Sequence, residues 1–117
     1  MLKAKRVYEP PDSSDGIRVL VDRLWPRGLS KSAAHADLWM KEIAPSPELR
    51  TWYAHDRTKW AEFTRRYREE LASRQDLADD LLERSKKGPV TLLFAARDEA
   101  CNNAVVLLEY LKERRHR

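Results

Sequence analysis

The sequence predicts an α/β fold: a small three-layer arrangement in which a short parallel or mixed sheet of about three strands is covered by four or five helices. Three observations carry this. Two short runs, Ile17–Leu24 and Val90–Ala95, are apolar almost without a break, as strands are when both faces are covered. The long stretch between them repeatedly places its apolar residues at helical spacing. The length, 117 residues, suits a single domain over 1–117 and hardly two.

Each element has its own signal. Lys5-Arg6-Val7-Tyr8 is a short strand candidate stopped by Pro10-Pro11, and Asp12 to Gly16 has turn composition. Ile17–Leu24 is β-branched and short, and Trp25-Pro26-Arg27-Gly28 halts it. Leu38, Trp39 and Ile43 fall at helical spacing and predict a helix over Ser32–Ala44. Ser46-Pro47-Glu48 is a helix start: a serine cap, proline in the first position and an acid in the first turn. Leu49, Trp52 and Tyr53 then share a face. Over Lys59–Ser73, Trp60, Phe63, Tyr67 and Leu71 fall within about 80° of arc at ~100° per residue, one apolar stripe. Leu77, Leu81 and Leu82 mark a further helix before Lys86-Lys87-Gly88. The strand Val90–Ala95 lies between Gly88-Pro89 and Arg97-Asp98. Asp98 is the expected cap of a last, well-buried helix carrying Cys101, Ala104, Val105, Leu108 and Leu111.

Composition narrows the function classes. There are 23 Lys and Arg against 19 Asp and Glu, a formal net charge of +4, and four Trp, which fits a packed core rather than a disordered chain. One cysteine excludes an intrachain disulfide and any multi-cysteine zinc site, and fits a reducing compartment. No apolar run approaches the ~20 residues of a membrane span, and Met1–Asp12 lacks a signal-peptide core, so a cytoplasmic location is expected. No nucleophile elbow, glycine-rich phosphate loop or metalloprotease histidine spacing is present, and no cofactor is expected.

If the two strong strands are parallel, their C-terminal ends share one edge, where ligands bind in such folds. That edge carries Asp22, Arg23, Trp25 and Arg27 after one strand and Arg97 after the other. Arg23, Arg27 and Arg97 offer fork-shaped donors suited to phosphate or carboxylate, and a helix start would reinforce them. The alternative is a structural network in which Asp22 and Asp98 pair with these arginines. Trp25, in the loop, is the aromatic residue placed to stack on a ligand; Trp39, Trp52 and Trp60 are expected in the core. Asp22 and His55 are the candidates for moving a proton. Their structural alternatives are an arginine partner for Asp22, and for His55 a turn in which Asp56 caps the next helix. The three histidines His35, His55 and His116 lack metal-ligand spacing, so no metal site is predicted. Near the start of its predicted helix, Cys101 has a nucleophile's position, although it shares the apolar face of Ala104, Val105 and Leu108. Glu62–Arg66, Arg65–Glu69 and Arg66–Glu70 read as solvated pairs on a helix surface.

Together these segments resemble a known family. Arg18-Val19-Leu20-Val21-Asp22-Arg23-Leu24-Trp25-Pro26-Arg27-Gly28, then Trp39 to Ser46, Leu49 to Asp56, Thr91 to Asp98 and Asn103 to Leu107 are similar, in order, to the short YeaO-like branch of the domain of unknown function 488 family. The resemblance implies a cytosolic prokaryotic α/β protein. It marks Asp22, Arg23, Trp25, Pro26, Arg27, Gly28, His55, Asp56 and Asn103 as motif members without giving their roles, and adds Asn103 to the ligand-binding candidates. Longer members carry a Cys-His-Arg-like segment after the equivalent of Val90–Ala95. Here that stretch reads Cys101-Asn102-Asn103, and the His-Arg is absent.

Two readings follow. One is a pocket for a small phosphate- or carboxylate-bearing ligand at the strand edge. The other is a non-enzymatic nucleic-acid-binding or protein-interaction module, drawing on the basic run Lys112 to Arg117.

Overall fold

A computed structural model of the chain describes residues 1–115. Four strands, β1 (Leu2–Arg6), β2 (Ile17–Leu20), β3 (Leu38–Trp39) and β4 (Val90–Phe94), form one sheet in the order β1-β4-β2-β3. Every neighbouring pair is parallel. All C-terminal strand ends therefore lie along one edge. The sheet is one strand larger than the sequence predicts.

The extra strand is β3, inside the segment expected to be helical over Ser32–Ala44. That segment divides into a single turn of helix, α1 (Lys31–Ala34), then β3, then a 3-10 turn over Lys41–Ile43. His35 ends α1 in the left-handed region at φ 50°. Arg18 explains why the helix goes no further. Its guanidinium donates to the carbonyls of Ala34 and His35, and its backbone N–H donates to the Asp37 carboxylate at 2.8 Å. The chain is thus pulled into register beside β2, with Val19 opposite Leu38 and Leu20 opposite Trp39. Trp39 is consequently 39% exposed, where the sequence predicts a core position.

The two strong strands are shorter than predicted, and β1 is shifted rather than shortened. β1 begins earlier and ends at Arg6. β2 stops at Leu20, although the Val21 N–H still reaches the Leu93 carbonyl at 3.1 Å. β4 is buried along its whole length, as its unbroken apolar run demands.

Four further helices complete the chain: α2 (Pro47–Tyr53), α3 (Trp60–Ala72), α4 (Gln75–Lys87) and α5 (Asn103–Arg115). Ser46 caps α2 by accepting from the Leu49 N–H, and Pro47 opens it. A 3-10 turn over Arg57–Lys59, capped by Asp56, leads into α3. The predicted α3 stripe buries Phe63, Tyr67 and Leu71, while Trp60 is half-buried. α5 lies against β1 and β4 and also touches α3 and α4, which explains why its middle is apolar on most sides.

Of the expected surface pairs, Glu62–Arg66 and Arg65–Glu69 form. Glu70 instead binds the backbone N–H and hydroxyl of Ser46. In the basic tail, Arg114 donates to Asp79 and Glu113 pairs with Arg68. His116 and Arg117 lie outside the described residues.

The layers are unequal. Val19, Val90, Leu92 and Phe94 join α2 to α5 in the main core. The opposite face, with Leu20 and Leu93, is covered by a smaller cluster: Val7, Ala34, Ala36, Ala95 and the loop carrying Trp25 and Leu29. That thin cover includes the loop in which the sequence places the candidate site. No helix among the described residues is long and apolar enough to cross a membrane.

Candidate functional site

Outside the C-terminal strand edge lies a cavity of about 900 Å³. Its walls come from the segments that follow the strands and from α2 and the start of α5. Asp22, Arg23, Trp25, Arg27, His55, Arg97 and Asn103, all seven residues singled out from the sequence, line it. So do Arg6, Tyr8, Arg50, Tyr53, Asp98 and Cys101.

Asp22 lies at the inner end. It stands two residues after β2, and its Oδ2 accepts the Ala95 N–H at 2.9 Å, just beyond β4. Its Oδ1 accepts the Asn103 amide at 3.2 Å. Burial pushes the Asp22 carboxyl above its ordinary value of 3.8, and these two donors pull against it. Among the described residues no arginine hydrogen-bonds Asp22, although the Arg50 charge also pulls its carboxyl down. The partner expected in the structural alternative is replaced by the end of one strand and the first residue of α5.

The arginines divide into two sets. Arg23 is half-buried and donates to the carbonyls of Pro45 at 3.2 Å and Ala44 at 3.3 Å, with Glu42 3.8 Å away. Arg6 donates to the carbonyls of Ala95 and Ala96 and sits 5.0 Å from the Tyr8 ring centre. These two tie strand ends and loops together. Arg27, Arg50 and Arg97 are exposed, and among the described residues their side chains have no hydrogen-bond or ion-pair partner. Nor does Asp98 neutralise Arg97. It is held bidentately by Arg57, at 2.6 and 2.8 Å, and accepts the N–H groups of Ala100 and Cys101, which together hold its carboxyl well below the usual range.

Asp98 does not cap the last helix. α5 begins at Asn103, and Asn102 accepts the Val105 N–H as its cap. Cys101 therefore precedes the helix instead of occupying its first turn. It is half-buried, and its carbonyl receives the Tyr53 hydroxyl at 3.2 Å. The position that would favour a nucleophilic thiol is lost.

Trp25 is half-buried. Its indole N–H donates to the Leu29 carbonyl at 2.7 Å, and its ring meets Trp39 edge-on at 5.3 Å. The Trp39 indole in turn donates to the Asp22 carbonyl at 2.8 Å. Trp52 is only half-buried, with Arg66 and Lys59 against its ring. His55 is exposed at the cavity rim. It and Ala54 take φ of 59° and 46°, two successive non-glycine residues in the left-handed region. Such residues cost about 1–2 kcal/mol each and cluster at functional sites.

Arg50 was absent from the sequence-derived set. Its signal was the helix itself: three residues before Tyr53 on α2, it shares the face that meets the cavity. Among the described residues no group of three His, Cys, Asp or Glu is arranged to hold a metal ion.

Over residues 1–117 the sequence matches the family described as the inactive DUF488-N3 subclade. The chain belongs to the DUF488 family. DUF488 relatives include the uncharacterized protein YeaO of Escherichia coli, 43% identical over 111 residues that span 95% of this chain and 96% of YeaO. The uncharacterized protein Rv3073c of Mycobacterium tuberculosis is 42% identical over 113 residues, 97% of this chain and 95% of that one. Mb3100c of Mycobacterium bovis, also an uncharacterized protein, has the same identity and coverage. No solved structure matches the chain.

Proposed function

We propose that this DUF488 protein binds a small anionic ligand, phosphate- or carboxylate-bearing, in the strand-edge cavity, without turning it over. The observation that carries the reading is the set of three exposed guanidinium groups, Arg27, Arg50 and Arg97, unpartnered among the described residues, around one cavity of about 900 Å³. Guanidinium forks match carboxylate and phosphate geometry. Among the described residues neither nearby acid forms an ion pair with them: Asp98 is held by Arg57, and Asp22 hydrogen-bonds Ala95 and Asn103. Binding without catalysis fits the description of the subclade as inactive, and the Cys101-Asn102-Asn103 segment that lacks His-Arg. Asp22 and His55 then shape the pocket instead of moving protons.

A thermal-shift series on the full chain tests this. Inorganic pyrophosphate or a sugar phosphate should raise the unfolding midpoint, a ligand at a hundredfold its dissociation constant contributing roughly 2.7 kcal/mol. The Arg27→Gln, Arg97→Gln double variant should melt as the parent does without ligand and lose the shift. Stabilisation by oligonucleotides alone, falling log-linearly with salt, would instead favour a nucleic-acid module.

A further inference from the structure

Resting on the anion-binding reading, we infer that the ligand is a nucleoside phosphate, its phosphate end at the exposed arginines and its base against the Tyr8, Leu24 and Trp25 wall.

Three features of the cavity differ in chemistry and lie in one continuous space. One part is cationic: Arg27, Arg50 and Arg97 line the cavity and, among the described residues, make no ion pair, the Asp22 carboxylate acting on Arg50 only at longer range. Such an excess matches a group with more than one negative charge, as a phosphate or diphosphate has, better than a single carboxylate.

The second feature is apolar. The exposed large apolar side chains among the described residues are Met1, Tyr8 at 40%, Leu24 at 58% and Trp39 at 39%. Tyr8 and Leu24 line the cavity, and Trp39 packs on Trp25, which also lines it. Tyr8 and Leu24 thus put exposed apolar surface at the cavity that carries the free cations, while Met1 lies elsewhere. A small inorganic anion would leave it in water, whereas a flat aromatic base would cover it.

The third feature is an acceptor. Asp22 receives one hydrogen bond on each oxygen, and a carboxylate can accept about four. A carboxylate repels phosphate but accepts from ribose hydroxyls or an exocyclic amine. Anion end, aromatic wall and acceptor end together describe a nucleoside phosphate, and a cavity of about 900 Å³ has room for one. A free nucleotide and the 5′-phosphorylated end of a strand share this chemistry.

Isothermal titration of the full chain decides the matter. The probes are the four common nucleoside 5′-diphosphates, inorganic pyrophosphate, ribose 5-phosphate, adenosine, and a trinucleotide with and without a 5′-phosphate. At least one nucleoside diphosphate should bind tenfold or more tighter than pyrophosphate, ribose 5-phosphate and adenosine. Arg50→Gln should weaken nucleoside diphosphate and pyrophosphate alike. Trp25→Leu should weaken only the nucleoside diphosphate, by about tenfold. Leu24→Ser, at a 58% exposed side chain, should shift affinity the same way without disturbing the fold. Tight binding of the phosphorylated trinucleotide would assign a strand end, and its exclusion a free nucleotide; either upholds the chemistry. Pyrophosphate binding as tightly as every nucleoside diphosphate would overturn the nucleoside assignment and leave the anion reading standing. No binding of any probe would overturn both.

Discussion

The side-chain amide of Asn103, first residue of α5, donates to Asp22 Oδ1 at 3.2 Å and to the Val21 carbonyl at 3.0 Å. One amide thus fixes the carboxylate that follows β2 to the start of the last helix, across 81 residues of sequence.

The Asn103 bond opposes the effect of burial on Asp22, so Asn103→Ala should raise the Asp22 pKa further above its ordinary 3.8. The consequence for stability has a definite sign. In the window above 3.8 the folded protein keeps a proton that the unfolded chain has released, so stability falls as pH rises through that window. Asn103→Ala should extend the window upward. Carboxyl NMR titration of Asp22, with urea unfolding at several pH values, reads both effects. An unmoved Asp22 titration would show that the Asn103 contact carries no weight.

Asp15 has the opposite sign. It is 1% exposed and lies between Lys3, Lys5 and Arg18, at 2.9, 3.0 and 2.6 Å. These donors outweigh its burial and hold its carboxyl well below 3.8. Its contribution is therefore complete above 3.8 and is lost as pH falls below it. Asp15→Ala leaves Arg18, itself 4% exposed, without its carboxylate, and should cost roughly 3–5 kcal/mol near neutral pH. The loss should shrink toward pH 2.

Gly16 and Gly28 both have positive φ, 62° and 76°, but their surroundings differ. A Cβ at Gly16 would stand 2.1 Å from the Pro89 carbonyl oxygen, while at Gly28 it would meet nothing within 4 Å. The Pro89 oxygen also accepts the Ile17 N–H, so it is fixed by the pairing that starts β2. Gly16→Ala should cost roughly 2–5 kcal/mol, strain and clash together, against about 1–2 for Gly28→Ala. Equal losses in urea melts would show that the Gly16 contact relaxes.

The strong strands and α3 were legible because each rests on local pattern, an unbroken apolar run or a single stripe; whether the sheet is parallel or mixed is not written in such a pattern. The grouping of Asp22, Arg23, Trp25, Arg27 and Arg97 was legible once the strands were taken as parallel, since parallel strands put their following residues along one edge. β3 was not legible. Leu38, Trp39 and Ile43 satisfy helical spacing, and only Arg18, a buried cation 20 residues before Leu38, draws that segment into the sheet. The start of α5 was misplaced for a similar reason. Asp98 has a cap's chemistry, but Arg57 and the N–H groups of Ala100 and Cys101 engage it, and Asn102 caps the helix instead. Which arginines are free was likewise beyond the sequence, because it depends on carbonyls that only the folded loops supply.

Arg23 and Arg97 make that division testable. They are equivalent in sequence terms, each just after a buried strand. In the fold, Arg23 is half-buried and bonds Ala44 and Pro45, which join β3 to α2, while Arg97 is exposed and unpartnered among the described residues. Arg74 also reaches the Ala44 carbonyl, at 2.6 Å, so the Pro45 carbonyl is the one left without a side-chain donor when Arg23 is cut back. Arg23→Ala should therefore cost about 1–3 kcal/mol of stability. Arg97→Ala should stay within about 0.5 kcal/mol of the parent. Pyrophosphate affinity should reverse the order, falling in Arg97→Ala at full stability. In Arg23→Ala it should fall only as far as the loosened Ala44–Pro45 segment disturbs the cavity. Urea unfolding and titration calorimetry on the same preparations separate the two quantities. A stable Arg23→Ala protein that has lost anion binding would place Arg23 with the free arginines.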